Sequence, residues 1–389
     1  MTEIAAVIVN YNSGSLCVSA VRSLLAQDFL GPSGAAGRLR IVVVDNASPQ
    51  DQHAILDPLR DLGVELIYHG ENRGYGAGMN LGLARVESAE FALLCNPDLL
   101  VLPGALAALT SLCRGDASIG LCGPRSYLDA GRFFQQPALP LPSAADRIQE
   151  ALGAFSAGAA RRHDRRRIRE QHRIWRAAAQ EDVRMLAGSF LFLPFDLARR
   201  LGPFDPGFPF YFEDADLCRR ARAAGRRLVY EPRAEIIHFY DRSARSARAE
   251  VASKQAFSRD YYFRKHCGRL QRGLLRLSDR VLAARTSAVP AAPDISDLGL
   301  QQGPFPIDFA THPRPFVLEV SPRADFRFCA GHPGEGRSVT LGASGFEMLE
   351  PARWHARVLD AESLEVLAQV SFQKDRAAAP PLAFDALAR

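Results

Sequence analysis

The chain lacks any uninterrupted apolar run of the roughly 20 residues that a membrane-spanning helix needs. It also lacks paired cysteines. Its seven cysteines are scattered and none forms a C-x-x-C pair, so the sequence indicates neither a zinc site nor a disulfide framework. We expect most of them to be buried thiols in a reducing compartment.

A signal peptide is not expected either. The apolar run Ile4–Val9 begins almost at the first residue, and Glu3 stands where a basic n-region would lie. We therefore expect a cytoplasmic protein, with peripheral contact at the inner face of the cytoplasmic membrane.

Strong net charge is missing as well. The 389 residues have a formal net charge of +5, with 47% hydrophobic and 23% charged residues, which fits an ordinary globular protein of two or three domains. The densest basic segment, Arg161–Arg176, has almost no interleaved aromatic residues, so we expect no nucleic-acid partner. Because apolar residues are sparse there, the segment is interpreted as a solvated insertion or mobile flap.

The first 95 residues alternate between apolar runs and segments of helical periodicity, a pattern that predicts a parallel sheet covered on both faces. The strand-like runs are Ile4–Val9, Ile41–Val44, Val64–Tyr68 and Phe91–Cys95. The helical segments between them are Ser13–Gln27, Asp51–Leu62 and Gly74–Val86.

Polar clusters follow all four apolar runs. They are Asn10-Tyr11-Asn12, Asp45-Asn46, Glu71-Asn72-Arg73-Gly74 and Asn96-Pro97-Asp98. Each has the composition of an ordinary turn. In a sheet of this kind, however, ligands bind beyond the carboxyl ends of the strands. The agreement of four strand ends therefore favours a binding site.

A second acidic motif lies far downstream, where two aromatic residues precede Glu213-Asp214 at the start of a predicted helix, Glu213–Ala224. Carboxylates at a helix N-terminus are stabilised by free N–H groups and by the helix dipole. Asp214 would then stay ionised near neutral pH, as a general base must. The alternative is that Asp214 and Asp216 only cap the helix.

Several of these motifs occur in an order that resembles glycosyltransferase family 2, whose members have the GT-A fold. The closest resemblance is to the bacterial rhamnosyltransferase-like branch, over about residues 4–240. The motifs are Val7–Asn12, Val43–Ser48, Asn72–Asn80, Asn96–Asp98 and Phe212–Asp214, continuing to Pro232 and His238. The resemblance implies an α/β fold with a Rossmann-like mixed sheet and a transferase that inverts the anomeric carbon.

The resemblance also implies how a nucleoside-diphosphate sugar would bind. Asp45 would accept the N3–H of a pyrimidine base, although a helix-capping role is the alternative. Gly74, Gly76 and Gly78 would bring backbone and a helix N-terminus close to the diphosphate. The expected donor-binding residues are Asn10, Tyr11, Asn12, Asp45, Asn72, Gly76, Asn80 and Asn96.

Asp98 is the expected metal ligand. The family commonly has Asp-x-Asp where this chain has Asn96-Pro97-Asp98, so only one carboxylate is available. One carboxylate together with substrate phosphates suits Mg²⁺ or Mn²⁺. By the resemblance His238 would complete the coordination, although a lone histidine is often structural.

The implied reaction is a single displacement. Asp214 would take the proton of an acceptor hydroxyl, and Glu213 would orient the acceptor. Arg219 or Arg220 would contact phosphate or hold the carboxylates. The expected donor is a dTDP- or UDP-sugar, with dTDP-rhamnose as one candidate. The expected acceptor is a glycan or lipid-linked hydroxyl in bacterial surface polysaccharide synthesis.

Two other functions compete with this interpretation. A degenerate transferase domain could act as a binding or scaffold protein, but Asp45, Asp98 and Asp214 are all present. A nucleotidyltransferase should have a basic, glycine-rich loop after the first strand. The loop Asn10–Gly14 has no such basic cluster.

The rest of the chain is divided by composition. Residues 1–240 would form the GT-A domain, interrupted by a basic insertion at 137–183. A basic helical extension at 241–285 and a Pro-, Ala- and Gly-rich linker at 286–311 would lead to a β-sandwich-like accessory domain at 312–389. Its predicted strands are Phe316–Val320, Phe326–Cys329, Ser338–Leu341, His355–Leu359 and Val366–Phe372.

Overall fold

A computed structural model describes residues 3–31, 33–239, 248–285 and 295–375. The strands of the first part are β1 Ile4–Asn10, β2 Leu39–Asn46, β3 Glu65–His69, β4 Phe91–Cys95, β5 Leu99–Val101, β6 Ile119–Tyr127, β7 Glu181–Asp182, β8 Phe190–Pro194 and β9 Arg227–His238. The helices are α1 Gly14–Leu25, α2 His53–Leu56, α3 Tyr75–Ala84, α4 Ala105–Gly115, α5 Ala144–Gly153, α6 Ala157–Trp175, α7 Phe195–Leu201 and α8 Glu213–Ala223.

These strands form one sheet in the order β3-β2-β1-β4-β8-β6-β9-β5, with β7 paired to β9. β1 to β4 run parallel, as their alternation with helices predicts. Beyond these four strands the sheet is mixed, because β8 runs antiparallel to β4 and β6, and β5 runs antiparallel to β9. Antiparallel neighbours need no crossover helix, so helix alternation does not reveal them. The mixed sheet implied by the family resemblance is the one observed.

The sheet is buried on both faces, which explains its continuous apolar strands. In β1, Ile4, Ala6 and Ile8 pack into one core with α1 and α4. The alternate residues Ala5, Val7 and Val9 pack into the other core with α3 and α8. Strand alternation thus places α3 and α8 on the same side of the sheet.

Several strand limits differ from the sequence prediction. The apolar pattern of Met185–Leu193 predicts a strand, but β8 begins only at Phe190, because the preceding residues form a loop that reaches the site described below. The sequence predicts two strands, Arg227–Tyr230 and Glu235–Phe239, but β9 is continuous across Pro232. Its register with β6 shifts between Pro124 and Arg125, so the irregularity is absorbed as a bulge. β5 and β6 were not predicted.

The basic insertion is not a solvated flap. Ser143 and Ser156 cap helices α5 and α6, and Trp175 at the end of α6 is one of the largest fully buried side chains. Trp175 packs in one apolar cluster with Val317 and Phe326. Composition alone predicts a solvated segment because apolar residues are few, but the large apolar side chains of α6 are buried. Arginines of α6 also donate hydrogen bonds to the chain beyond residue 300.

Arginine side chains of the basic insertion donate to defined backbone oxygens of the C-terminal region. Arg167 donates to the backbone oxygen of Phe326 at 2.7 Å, and Arg176 donates to that of Ala361 at 3.0 Å. A buried ion cluster adds to them: Glu319 accepts from Arg357 at 2.7 Å and lies 3.4 Å from His172 Nε2. The insertion is therefore the platform on which the C-terminal region packs.

The basic extension forms two helices, α9 Arg248–His266 and α10 Arg269–Arg285. α9 is fixed to the first domain by Asp216, which is fully buried and lies 2.8 Å from Lys265 Nζ and 2.7 Å from His266 Nε2. Within the described ranges, no helix combines the length and apolarity needed to cross a bilayer.

The C-terminal region contains two sheets around one apolar core, as predicted for a sandwich-like unit. Its elements are β10 Ser296–Gln301, β11 Phe305–Asp308, β12 Arg314–Ser321, β13 Ala330–Gly336, β14 Ser338–Leu341, α11 Ala343–Met348, β15 Arg353–Asp360 and β16 Val366–Lys374. The larger sheet has the order β10-β16-β15-β12-β13, and β11 pairs with β14.

Two strand predictions for this region are wrong. The predicted linker, residues 286–311, contains two strands, β10 and β11. β10 was missed because it is an exposed edge strand, whose sequence shows no apolar alternation. Phe326–Cys329 is not a strand, although Phe326 and Cys329 are buried beside Trp175. The strand there is β13, whose Gly- and Pro-rich sequence gives little β signal. The linker residues 286–294 lie outside the described residues, and the division into domains stays a prediction.

Candidate active site

The carboxyl ends of β1 and β2 lie side by side, with Asn10 paired to Asp45 in the strand register. Asn10 Nδ2 donates to Asp45 Oδ1 at 2.7 Å, and Ser48 Oγ donates to the same oxygen at 2.6 Å. Asp45 Oδ2 accepts the backbone N–H of Ser48 at 3.1 Å. A carboxylate oxygen can accept more than one hydrogen bond. Oδ2 therefore keeps capacity for a ligand.

The loop after β1 is shaped by Asn12, which has a positive φ of 52°. Its N–H donates to Ser48 Oγ at 2.8 Å, and its side-chain oxygen accepts the N–H of Gln50 at 3.1 Å. The neighbouring Tyr11 is exposed. Asn12 thus ties two strand-end loops together and leaves the Tyr11 ring accessible.

Asn72 connects the end of β2 to the start of α3. Its side-chain oxygen accepts from Asn46 Nδ2 at 3.0 Å and from the N–H of Gly74 at 3.0 Å. Gly74 has a φ of 90°, and a Cβ there would lie 2.8 Å from the backbone oxygen of Pro209. Only glycine suits this position, because it needs both a left-handed backbone and a close approach.

Gly76 and Gly78, which were also expected near the diphosphate, pack closely against neighbouring side chains. A Cβ on Gly76 would lie 2.8 Å from Phe204 Cβ, and one on Gly78 would lie 2.9 Å from Val9. Asn80 Nδ2 donates to the Phe204 oxygen at 2.7 Å while its Oδ1 accepts the Phe204 N–H at 3.1 Å. Both ends of the Asn80 amide thus contact the backbone of Phe204, and its expected role at the donor stays a prediction.

Asp98 and His238 face each other across two paired strands. β5 starts at Leu99, which pairs with His238 in β9, and Asp98 Oδ1 lies 3.2 Å from His238 Nε2. Asp98 is only 1% exposed. Burial acts to raise the pKa of this carboxyl, but the facing imidazole and local hydrogen bonds outweigh it, so the pKa of Asp98 is lowered. Asp98 is therefore ionised at neutral pH.

A loop before β8, residues 187–189, joins the two acidic motifs. The backbone oxygen of Ser189 accepts the N–H of Asn96 at 2.8 Å. The N–H of Gly188 donates to Asp214 Oδ2 at 3.0 Å. A Cβ on Gly188 would lie 2.8 Å from Asp214 Cβ, so glycine is required for this approach. The Asn96–Asp98 loop and the start of α8 are thereby held on the same short segment.

Tyr75, the first residue of α3, completes this connection. Its hydroxyl donates to the backbone oxygen of Gly188 at 3.1 Å. Burial first, and then the neighbouring ionisable groups of Cys95, Glu213, Asp214 and Asp98, raise the pKa of Tyr75 well above its usual range. Tyr75 thus lies within electrostatic reach of both acidic motifs. The sequence analysis did not select Tyr75 or Gly188. The run Ala187-Gly188-Ser189 before an apolar strand was the available signal.

The Glu213-Asp214 pair follows an unusual stretch of backbone. Tyr211 and Phe212 both have positive φ angles, 64° and 69°, which are costly for residues other than glycine. This turn brings Glu213 and Asp214 into the first turn of α8. Strained residues of this kind cluster at functional sites, so the turn makes this segment a candidate site.

The helix N-terminus does not keep these two pKa values low. Burial, followed by the charge of Asp214, raises the pKa of Glu213 to about 8. Burial also raises the pKa of Asp214, although the N–H groups of Gly188 and Ala215 oppose that rise. Because these backbone donors serve Asp214, it is the first of the pair to ionise. Glu213 stays largely protonated at neutral pH.

This assignment predicts how stability depends on pH. Between an unfolded pKa of about 4.3 and a folded pKa of about 8, the folded state binds a proton at Glu213 that the unfolded state does not. The contribution of Glu213 to the free energy of unfolding is therefore greatest in acid. It falls as the pH rises from about 4.3 through about 8. We expect Glu213→Gln to gain melting temperature relative to the wild type between pH 5 and about 8.5. Thermal unfolding across this range tests it.

The control for that measurement is Glu335→Gln, on the exposed part of β13. It makes the same substitution at an exposed carboxyl, so its melting temperature should follow the wild type at every pH. A Glu213→Gln curve parallel to the wild type would contradict the raised pKa.

The arginines of α8 do not reach the Glu213-Asp214 pair. Arg220 Nε donates to Asp216 at 2.6 Å, and its other nitrogens donate to backbone oxygens including that of Pro203 at 2.8 Å. Arg219 donates to the backbone oxygen of His266 at 3.3 Å. Arg220 holds Asp216 rather than Asp214, and neither arginine has a described contact to the candidate base. Asp216 belongs to the attachment of α9 and not to a simple helix cap.

The family comparison covers the strand-end motifs up to Asp98 but does not reach Glu213-Asp214 or His238. The sequence model described as Glycosyl transferase family 2 matches residues 5–173. Residues 5–173, less than half of the chain, are therefore similar to glycosyltransferase family 2. Together with the mixed sheet, this match confirms the predicted GT-A fold.

Rhamnosyltransferases are among the relatives of this domain. An N-acetylglucosaminyl-diphospho-decaprenol L-rhamnosyltransferase of Mycobacterium tuberculosis is 28% identical over 186 residues, which cover 45% of this chain and 58% of the relative. The rhamnosyltransferase WbbL of Escherichia coli K12 is 43% identical over 60 residues, 15% of this chain and 23% of that protein. The alignment thus spans little more than half of the mycobacterial relative.

Solved glycosyltransferase structures are similar at a low level. GalNAc-T7 with UDP, GalNAc and Mn²⁺ has a TM-score of 0.44 at 15% identity, covering 77% of this chain and 61% of its own. The mannosyltransferase PcManGT of Pyrobaculum calidifontis with GDP-Man and Mn²⁺ has a TM-score of 0.43 at 15% identity, covering 74% and 76%. Scores this low carry no argument about chemistry.

Proposed function

We propose that the protein is an inverting glycosyltransferase that moves a sugar from a nucleoside diphosphate to a hydroxyl group of a glycan or lipid-linked acceptor. The donor is a dTDP- or UDP-sugar, and dTDP-rhamnose is the first to test. The role is in bacterial surface polysaccharide synthesis. The family match and the names of the two rhamnosyltransferase relatives support this choice.

One observation carries the proposal: the segment that leads to Asp98 and the side chain of Asp214, 116 positions further along the sequence, are hydrogen-bonded to the same short loop. Asn96 is bound to Ser189, and Asp214 is bound to Gly188. A transferase needs its base and its diphosphate-binding groups on either side of one anomeric carbon. A scaffold protein has no need to keep two buried carboxylates in this arrangement, because each costs desolvation energy.

In this mechanism Asp214 accepts the proton of the acceptor hydroxyl. Its Oδ1 accepts the N–H of Ala215 at 2.7 Å and its Oδ2 that of Gly188, so both oxygens are fixed in direction. The deprotonated oxygen attacks the anomeric carbon while the nucleoside diphosphate leaves from the opposite face. The raised pKa of Asp214 makes it a stronger base than an exposed aspartate.

Glu213 has a different role from its neighbour. With a pKa of about 8 it is protonated at neutral pH, so its hydroxyl can donate a hydrogen bond to an acceptor oxygen. Its Oε2 is buried and makes no hydrogen bond to the described part of the chain. A buried polar atom without a partner is costly, and a bound acceptor would satisfy it.

Asp98 and His238 fit a divalent cation. Asp98 Oδ1 is buried without a regular hydrogen bond and faces an imidazole nitrogen, a donor set that suits Mg²⁺ or Mn²⁺ if water and donor phosphates supply the other ligands. In the described part of the chain, no three His, Cys, Asp or Glu side chains converge as a complete metal site. When bound, such an ion would neutralise charge on the leaving diphosphate.

The experiment that tests the function is a donor screen by thermal shift with UDP-, dTDP- and GDP-sugars and Mn²⁺, followed by assay of nucleoside diphosphate release. A bound donor raises the melting temperature by mass action. The proposal expects stabilisation by a pyrimidine donor and protein-dependent release of its diphosphate. Stabilisation without release under any acceptor condition would favour the scaffold function instead.

A further inference from the structure

Helix α10 exposes a row of leucines. Leu270, Leu274 and Leu277 are 87%, 50% and 58% exposed, and their spacing of four and three residues places them on one helical face. Isolated apolar residues on a surface are ordinary, but three aligned large side chains on one helix are not.

This row is separate from the face by which α10 packs on its own protein. Leu275 is buried and lies on the other side of the helix. Asp279, on the same buried side, lies 2.8 Å from Arg147 of α5 and 2.9 Å from Arg259 of α9. The leucine row is therefore not needed for packing within the described residues.

The exposed charged residues of α10 beside the leucine row are all basic. Arg269, Arg276 and Arg280 are exposed on α10. Asp279, the only acidic residue of the helix, is taken up by its two arginine partners. An apolar row with a purely basic border is typical of helices that lie in the plane of a membrane surface. Charge complementarity thus selects an anionic bilayer rather than a neutral apolar partner.

We infer that α10 is a docking helix for the surface of an anionic lipid bilayer. The leucine row enters the headgroup boundary and the arginines contact lipid phosphates. This surface is separate from the transferase site, so the inference does not depend on the proposed reaction.

The densest basic cluster of the sequence is a weaker candidate for this role. Arg167 and Arg176 of α6 are engaged by the C-terminal region, and Arg166 pairs with Asp146. Their charges are at least partly neutralised or fixed within the protein. The structure therefore separates two basic segments that composition alone presents as equivalent.

The test is vesicle co-sedimentation of the full chain. We expect binding to phosphatidylcholine vesicles that contain a third of phosphatidylglycerol, and little binding to phosphatidylcholine alone. Binding should fall steeply between about 0.1 M and about 1 M salt, where the screening length drops from roughly 10 Å to roughly 3 Å. The variant Leu270→Ser/Leu274→Ser/Leu277→Ser should bind at least about tenfold less.

Matched controls separate α10 from general surface properties. Leu300→Ser/Val366→Ser removes two exposed apolar residues of the C-terminal region and should bind like the wild type. Arg269→Gln/Arg276→Gln/Arg280→Gln should lose anionic selectivity, whereas Arg161→Gln/Arg162→Gln/Arg169→Gln, exposed on α6, should retain it.

Three results would overturn the inference. One is equal binding of the wild type and the leucine variant. Another is a lower melting temperature of the leucine variant, which would mean that another part of the chain covers the row. The third is self-association in analytical ultracentrifugation that the leucine variant abolishes without any vesicle binding, which would make a second copy the occupant.

Discussion

Replacing Asp214 with asparagine is expected to lower sugar transfer by a factor of about 10² or more, since a lost general base typically costs that much. Donor binding should be nearly unchanged. Asparagine has the size of aspartate, and its amide oxygen can still accept one of the N–H bonds from Gly188 and Ala215. Transfer is measured in steady state, and donor affinity by calorimetry on the same preparation.

The matched control is Asp196→Asn in the first turn of α7, where the aspartate is exposed. Both substitutions remove one carboxylate from a helix N-terminus, so a loss of helix stabilisation affects both alike. Only Asp214→Asn should reduce transfer. Turnover close to that of the wild type in Asp214→Asn would remove Asp214 from the base role.

The pH profile gives an independent readout of the same assignment. Because the pKa of Asp214 is raised, the acid limb of the rate profile should lie above the usual aspartate value of about 4. The rate is lost as pH falls through that pKa, because a protonated carboxyl cannot accept the proton. An acid limb at an ordinary aspartate pKa would contradict the environment described for Asp214.

The parallel half of the sheet was predictable because local and long-range signals agree there. In β1 every residue is buried on one face or the other, so the strand is a continuous apolar run. The same register that pairs Asn10 with Asp45 brings the strand-end motifs to one edge. The antiparallel strands β5 and β6 were missed because one is three residues long and the other contains Gly and Pro.

Individual site residues were harder to predict than the location of the site. Asn80 lies in a family-like motif, but its amide is used by Phe204, 124 positions away, and no local pattern reveals that. Gly188 contributes through its backbone oxygen, which accepts from the Tyr75 hydroxyl, and through its backbone N–H, which donates to Asp214; the identity of its side chain predicts neither contact. Asp216 looks like a helix cap in the sequence, yet its partners come from α9.

The second large effect is expected from Asp45. Asp45→Ala should weaken binding of the free nucleoside by roughly 10- to 150-fold, with or without metal, because a hydrogen bond to a charged group contributes about 1.5–3 kcal/mol. The lone pair left on Oδ2 is the proposed acceptor for the base N–H. The measurement is calorimetry of nucleoside and nucleoside diphosphate. Asp51→Ala, an exposed aspartate in the next loop, is the control.

Asp98→Ala should affect a different quantity. It removes the carboxylate that faces His238 at 3.2 Å, so nucleoside diphosphate affinity should fall about tenfold or more with Mn²⁺ present and change little without it. Nucleoside binding should be unaffected, because a nucleoside has no phosphate to share the ion. The two variants therefore separate base recognition at the end of β2 from diphosphate recognition at the start of β5. Equal losses for both variants, with and without metal, would mean that the two aspartates support one structural unit rather than two binding functions.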